Sequence, residues 1–279
     1  MRLTVLPDDS LFDEPLLIRI DGLPPGTEIL LEAEAEDATG VPWQSRAAFR
    51  SDEAGAVDPA GQAPLSGTYG GVDPPGLLWS MSPLGGPEDP RKFQAGHGPL
   101  LIRFTAVEAE AVRTSFTVVR RATVPGVKRT QIQEGSLSGA FYQPASETPV
   151  PGVVLFHGSG GGVAGLEPVA GLLASHGYAA LVVGYFGVPG LPGHACEVPL
   201  EALASGVRWL SSHPEVDPAR LAAAGTSLGA EAALAAASFV EGLPLKAVAA
   251  MSPSSVLWQA LTPGMLQRKG RWSLKGQGL

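Results

Sequence analysis

One cysteine, Cys196, occurs in 279 residues, so no intrachain disulfide can form. Aromatic residues are scarce at 6%, and charged residues reach only 16%. The core must therefore come mainly from Leu, Val and Ala. No apolar run has the roughly 20 residues needed to cross a bilayer as a helix, so no membrane span is expected. The opening Met1-Arg2-Leu3-Thr4-Val5-Leu6-Pro7-Asp8-Asp9 turns acidic before a signal peptide's apolar stretch can form. A cytoplasmic protein is the expectation. No paired Cys/His spacing suggests a metal, and no cofactor is expected. No Gly-Lys-Ser/Thr follows a glycine run, which excludes a phosphate-binding loop of that type. With 19 basic against 27 acidic residues the net charge is −8. Such an acidic chain is a poor nucleic-acid binder.

What is present is 44% hydrophobic, which excludes disorder from low hydrophobicity. Glycine (36) and proline (26) exceed a fifth of the chain without a triplet period, so it is turn-rich and globular rather than collagen-like. The length has room for two domains. Up to residue 121 the pattern is short and alternating. Strands are predicted over 16–20, 28–36, 43–49, 77–81, 100–108 and 112–119, separated by Gly/Pro/Asp clusters. In the second of these, Ile29, Leu31, Ala33 and Ala35 share one side. This grammar predicts an Ig-like, all-β sandwich over 1–121. Residues 122–151 read as a connecting segment with one or two strands, for example 137–142.

From residue 152 the grammar changes. Val153-Val154-Leu155-Phe156 is a continuous apolar run, as a strand buried on both faces should be. Buried strands are also expected at 179–185, 221–224 and 246–251, alternating with helices at 166–176, 200–210 and 230–240. That alternation predicts a parallel sheet covered on both faces over 152–279.

Gly225-Thr226-Ser227-Leu228-Gly229 fits G-x-S-x-G between a predicted strand and a predicted helix. Such a nucleophile elbow needs Gly225 and Gly229 because side chains there would clash in so tight a turn. Ser227 is the candidate nucleophile, and the Leu228 N–H points toward a developing oxyanion. The bland alternative is that both glycines interrupt one alanine-rich helix. Two features weigh against it: Pro218 disfavours helix at Asp217, and His157-Gly158-Ser159-Gly160-Gly161-Gly162 directly follows a buried strand. There Ser159 or Gly160 would supply the second oxyanion donor. His157 reads as serving loop geometry rather than as a base. His176 and His213 read as helix C-terminal caps, His97 and His194 as scattered, and Cys196 as a spectator thiol.

A larger resemblance covers residues 16–261. Ala48-Phe49-Arg50-Ser51-Asp52, Gly55-Ala56-Val57-Asp58, Gly67-Thr68-Tyr69-Gly70-Gly71-Val72-Asp73 and Gly76-Leu77-Leu78-Trp79-Ser80-Met81 occur in this order. Leu172-Leu173-Ala174-Ser175-His176-Gly177-Tyr178-Ala179, Val198-Pro199-Leu200-Glu201 and Gly225-Thr226-Ser227-Leu228-Gly229-Ala230-Glu231 follow. The set resembles the acyl-CoA thioesterase and bile acid-CoA:amino acid N-acyltransferase family. The resemblance implies a β-sandwich joined to an α/β-hydrolase domain that acts on acyl-CoA thioesters. It implies Ser227 as nucleophile, with serine there leaning toward hydrolysis over transfer to glycine or taurine.

One departure is severe. In this hydrolase fold the triad runs Ser, then Asp/Glu, then His. The 52 residues after Ser227 contain neither histidine nor aspartate, and their only acids are Glu231 and Glu241. The hydrolase domain is therefore expected to be C-terminally truncated, with the 279-residue form crippled and an extended form active. Alternatives are an amino acid N-acyltransferase, a dienelactone-hydrolase-like esterase, and a non-catalytic acyl-CoA-binding remnant. The basic residues Arg268, Lys269, Arg271 and Lys275 are the local offset for a polyanionic CoA, but read first as a solvated end.

Overall fold

The computed structural model describes residues 1–85, 92–96, 98–108, 111–262 and 265–279. The chain divides into two units, Met1–Ala122 and Thr123–Leu279. His97 lies outside the described residues.

The first unit is built from strands, as the alternating pattern predicts. They are β1 (Arg2–Leu6), β2 (Asp9–Leu11), β3 (Leu17–Asp21), β4 (Glu28–Glu36), β5 (Pro42–Arg50), β6 (Ser66–Gly67), β7 (Ser82–Pro83), β8 (Leu100–Glu108) and β9 (Ala111–Arg121). The main sheet has the order β2-β9-β8-β4-β5-β6, with β7 also on β5. Its pairs are antiparallel except β2 with β9, which run parallel. The antiparallel ribbon β1–β3 supplies Leu3, Val5, Ile18 and Ile20 to the same core as Ile29, Leu31, Phe49 and Phe104 of the main sheet. Every second residue of β4 is buried, with Glu28, Glu32, Glu34 and Glu36 on the other face. Buried Arg120 anchors the segment around β2, donating to the Ser10 hydroxyl and to the carbonyls of Phe12 (2.8 Å) and Glu14 (2.6 Å).

One expected strand is absent. Residues 77–81 hold the single-turn helix α1 (Gly76–Trp79) instead. The Pro75 carbonyl accepts from Leu78 (2.7 Å) and Trp79 (3.2 Å), so the preceding prolines set a turn that the apolar run continues. Gly76 is obligatory there, because a Cβ would lie 2.3 Å from the Tyr69 ring.

The second unit contains β10 (Lys128–Glu134), β11 (Leu137–Gln143), β12 (Val150–Phe156), α2 (Glu167–Ser175), β13 (Ala179–Gly184), β14 (Val198–Pro199), α3 (Leu200–Ser212), β15 (Val216–Thr226), α4 (Leu228–Phe239) and β16 (Leu245–Met251). The short strands β17 (Gln259–Thr262), β18 (Met265–Gly270), β19 (Trp272–Leu274) and β20 (Gln277–Gly278) follow. Six strands form one sheet in the order β10-β11-β13-β12-β15-β16. β13, β12, β15 and β16 are parallel, and the hairpin β10–β11 is antiparallel. Residues 122–151 were expected to connect two regions. The strand expected at 137–142 is β11, and with β10 it joins the sheet, because Phe141 and Tyr142 of β11 each reach one of the two cores.

Both faces of this sheet are covered. On β12, Val154 and Phe156 pack with α3 and α4, and Val153 and Leu155 pack with α2. β13 is buried at all its positions, which explains its unbroken apolar sequence. Leu200, Leu203, Val207 and Leu210 form the buried stripe of α3 at helical spacing. Residues 217–220 form an irregularity in β15, where the register on β12 jumps from Val216 to Leu221. Asp217 holds it by accepting from the Ala219 N–H (2.9 Å) and Arg220 Nε (2.6 Å).

Candidate active site

Ser227 stands between the end of β15 and the start of α4, with φ +56° and ψ −121°. A non-glycine residue occupies that region only when its surroundings force it. Here the Ser227 N–H donates to the Met251 carbonyl of β16 at 2.9 Å. Its own carbonyl accepts from Ala230 (3.0 Å) and Glu231 (3.1 Å) in the first turn of α4. The two motif glycines have steric causes. A Cβ on Gly225 would lie 2.2 Å from the Gly229 carbonyl oxygen, and one on Gly229 would lie 2.0 Å from that of Phe156. No side chain fits either gap, so α4 can start against β12 and β15 only with glycine at both places.

A cavity of about 910 Å³ opens over this turn. Ser159, Ser227 and Leu228 line it together, whereas Gly160 is not among its lining residues. The Leu228 N–H, first in α4, has no acceptor among the described residues. The cavity also draws in residues from distant parts of the sequence: His194, Glu231, Trp258 and Arg271. Glu231 lies in the first turn of α4 and lines the cavity together with Ser227. Its carboxylate is buried at 3% exposure and accepts from Trp272 Nε1 at 2.7 Å and Arg271 Nη1 at 3.2 Å.

These geometries meet matching relatives. Residues 13–134 match the family described as the acyl-CoA thioester hydrolase/BAAT N-terminal region. Mouse (Mus musculus) acyl-coenzyme A amino acid N-acyltransferase 2 is 35% identical over 249 residues, covering 86% of this chain and 59% of the relative. Mouse bile acid-CoA:amino acid N-acyltransferase is 34% identical, with 85% and 58% covered. Mouse acyl-coenzyme A thioesterase 1 is 31% identical, with 84% and 56% covered. Residues 13–134 carry that family's N-terminal region, and most of the chain is similar to its thioesterase and N-acyltransferase members. It spans somewhat over half the length of these relatives. Among solved structures, esterase Est22 is 25% identical with a TM-score of 0.36, covering 40% of this chain and 38% of that one.

The other histidines of the chain take varied places. His157 is buried at 3% exposure and stacks on Tyr185 with ring centroids 4.0 Å apart. Its Nδ1 lies 3.0 Å from the Gly158 carbonyl, and its Nε2 accepts from the Tyr185 N–H at 3.4 Å. Burial holds its pKa below the ordinary value. A neutral ring with the proton on Nδ1 satisfies both contacts. His176 and His213 are the C-cap residues of α2 and α3, and the His213 ring lies against Phe141 and Trp209. Cys196 is not among the cavity-lining residues.

In the sequence His194 reads as scattered and Arg271 as part of a solvated end, yet both line the cavity. His194 sits in a Gly/Pro-rich loop with no periodicity to place it. Arg271 was expected at a solvated end, yet its side chain is only 18% exposed. The buried carboxylate of Glu231 draws it inward. Lys269 is an exposed partner of Glu197 at 2.5 Å. Among the described residues, the Ser227 hydroxyl has no hydrogen-bonded histidine.

Proposed function

We propose that this chain carries the nucleophile half of an acyl-CoA thioester hydrolase, with Ser227 as the attacking residue. The observation that carries the reading is the forced backbone of Ser227, which lifts the side chain into a cavity at the start of α4. The similarity to named thioesterases and N-acyltransferases supports the substrate class. We also retain an Ig-like sandwich reading for residues 1–121, supported by two β-layers around one core, and an α/β-hydrolase reading for the second unit, supported by the sheet order and the elbow.

In this reading the Ser227 hydroxyl oxygen attacks the thioester carbonyl carbon. Negative charge gathers on the carbonyl oxygen, where the Leu228 N–H and the backbone N–H of Ser159 or Gly160 donate to it. Ser159 is the better second donor, because it lines the cavity. The C–S bond breaks, CoA leaves as the thiol with the serine proton, and an acyl-enzyme remains. Water then cleaves that ester to the free acid and restores the serine. Amino acid N-acyltransferase is the second reading, because relatives of that name match at 34–36% identity. There an amine replaces water and the product is an amide.

A serine without a base is a poor nucleophile, and no histidine follows Ser227 in these 279 residues. Residues 1–279 alone are therefore expected to show residual turnover, of the order left when triad members are removed, about 10³–10⁴ over water. The test is thiol release from a long-chain acyl-CoA, by residues 1–279 and by a form extended with an Asp- and His-bearing C-terminal part. We expect slow release by the first and a large gain in the second, abolished by Ser227→Ala. An extended form that keeps its rate with Ser227→Ala would sink the assignment.

A further inference from the structure

Two loops leave neighbouring parallel strands and meet at the Ser227 cavity, which Ser159 and Phe186 both line. His157 directly follows β12 and Tyr185 directly follows β13, where Phe156 and Val183 are in register. The loop 157–162 carries Ser159, whose N–H has no acceptor among the described residues. Glycines at 158 and 160–162 leave that loop with little conformational preference of its own. Its geometry must be imposed from outside.

Residues 185–187 impose it. The Gly162 N–H donates to the Phe186 carbonyl (3.1 Å), and the Tyr185 N–H donates to His157 Nε2 (3.4 Å). Gly187 closes on the same loop, since a Cβ on it would lie 3.0 Å from the Gly162 nitrogen. The Tyr185 hydroxyl donates to the His157 carbonyl. Outside the sheet ladder, no other donor reaches that carbonyl among the described residues. The His157 carbonyl and the Gly158 N–H belong to one planar peptide, so its direction sets the path of the chain into Ser159. Gly229 of α4 packs on the same oxygen, where a Cβ would come within 2.9 Å.

The tyrosine is fixed in turn. Its ring is buried against His157, Phe186 and Trp272, with centroids 4.0, 5.1 and 5.8 Å away. Burial and the Glu231 carboxylate push its pKa up, so the phenol keeps its proton and stays a donor. Without it the His157 carbonyl is a buried acceptor left unsatisfied, beside a glycine that lets the peptide turn.

We propose that Tyr185 is a positioning residue: its hydroxyl fixes the His157–Gly158 peptide and so presets the Ser159 N–H as an oxyanion donor. This rests on the reading of Ser227 as nucleophile and of Ser159 as the second donor.

Tyr185→Phe removes the hydroxyl and keeps the ring on His157. Tyr142→Phe is the matched control, since that hydroxyl is also buried and donates to Glu167 (2.7 Å) in the core on the α2 side of the sheet. Amide NMR on residues 1–279 reads the loop directly. Tyr185→Phe is expected to displace the Gly158 and Ser159 amide resonances, and Tyr142→Phe to leave them in place. Thiol release from a long-chain acyl-CoA reads the consequence, in residues 1–279 and in the extended form. On Tyr185→Phe, kcat is expected to fall about tenfold or more with KM unchanged, short of the 10²–10³ lost when an oxyanion donor is removed outright. Tyr142→Phe is expected to lower stability in urea and leave kcat alone. Tyr185→4-aminophenylalanine returns an N–H donor to the same place and is expected to restore kcat. Unmoved loop amides, an unchanged kcat, or a rise in KM alone would each overturn the inference. If the extended form keeps its rate with Ser227→Ala, the nucleophile reading fails, and the loop amides alone decide whether Tyr185 fixes the peptide. Should Tyr185→Phe not fold, His157→Gln keeps an acceptor for the Tyr185 N–H and loses the stacked ring. The same loss confined to kcat is then expected, and its absence overturns the inference.

Discussion

At Ser227 the backbone occupies φ +56°, ψ −121°, a conformation that costs a non-glycine residue about 1–3 kcal/mol. The strain sits on the residue assigned to attack, with glycines on both sides that cannot be replaced. Ser227→Gly relieves it, at the cost of about 1 kcal/mol of added freedom in the unfolded chain. A net gain of about 1 kcal/mol is therefore expected in urea denaturation, together with thiol release by the extended form falling to the residual level. Unchanged or lower stability would show that the conformation is not strained. Gly229→Ala should act the other way. Its Cβ would meet the Phe156 carbonyl oxygen at 2.0 Å, and backbone must move to admit it. A loss of about 3 kcal/mol is expected in the same measurement.

Among the elements, the β4–β5 connection shows how a polar residue can be buried without cost to the fold. Asp37 is buried at 6% exposure, yet its Oδ1 accepts from Thr39 N (2.9 Å), Thr39 Oγ1 (2.7 Å) and Val41 N (3.1 Å). Its Oδ2 accepts from Trp43 Nε1 (3.2 Å) and Gln94 N (3.3 Å). Burial alone would raise its pKa. The donors from Thr39, Val41 and Gln94 outweigh that and hold the carboxyl well below the usual range. A depressed folded-state pKa contributes stability above the unfolded value, near pH 4, and that contribution is lost as pH falls further. The melting temperature of the native protein should therefore drop between about pH 5 and pH 2. Asp37→Asn should melt lower at pH 7 and show a shallower acid limb; equal acid slopes would refute the linkage. The same region shows what was legible locally. β4 alternates strictly in sequence and in burial, whereas the apolar run at 77–81 looks like a strand but follows two prolines into a helical turn.

For the whole molecule, the two units have separate cores and different grammars. The six-stranded sheet has unlike edges. β10 is guarded by Lys128, Arg129 and Glu134, whereas β16 carries one charge, Lys246, and exposes Met251 at 63%. No strand pairs with the outer side of β16 among the described residues. Such an edge templates association. Ala249→Lys on its exposed positions is expected to slow aggregation of residues 1–279, followed by light scattering at 37 °C, with little change in melting temperature. Equal aggregation rates would place the sticky surface elsewhere.

Short-range patterns carried most of the architecture. Alternation marked β4, β5, β8 and β9, unbroken apolar runs marked β12 and β13, and the motif 225–229 marked the elbow. Each depends on neighbours within a few residues, so each is written locally. The identity of the cavity is not. His194 and Arg271 reach it from loops with no period of their own, and Arg271 meets Glu231 across 40 positions. A basic residue in a loop without periodicity looks solvated until a buried carboxylate is found beside it. That pairing is a property of packing, because only the folded chain brings the two charges out of water together.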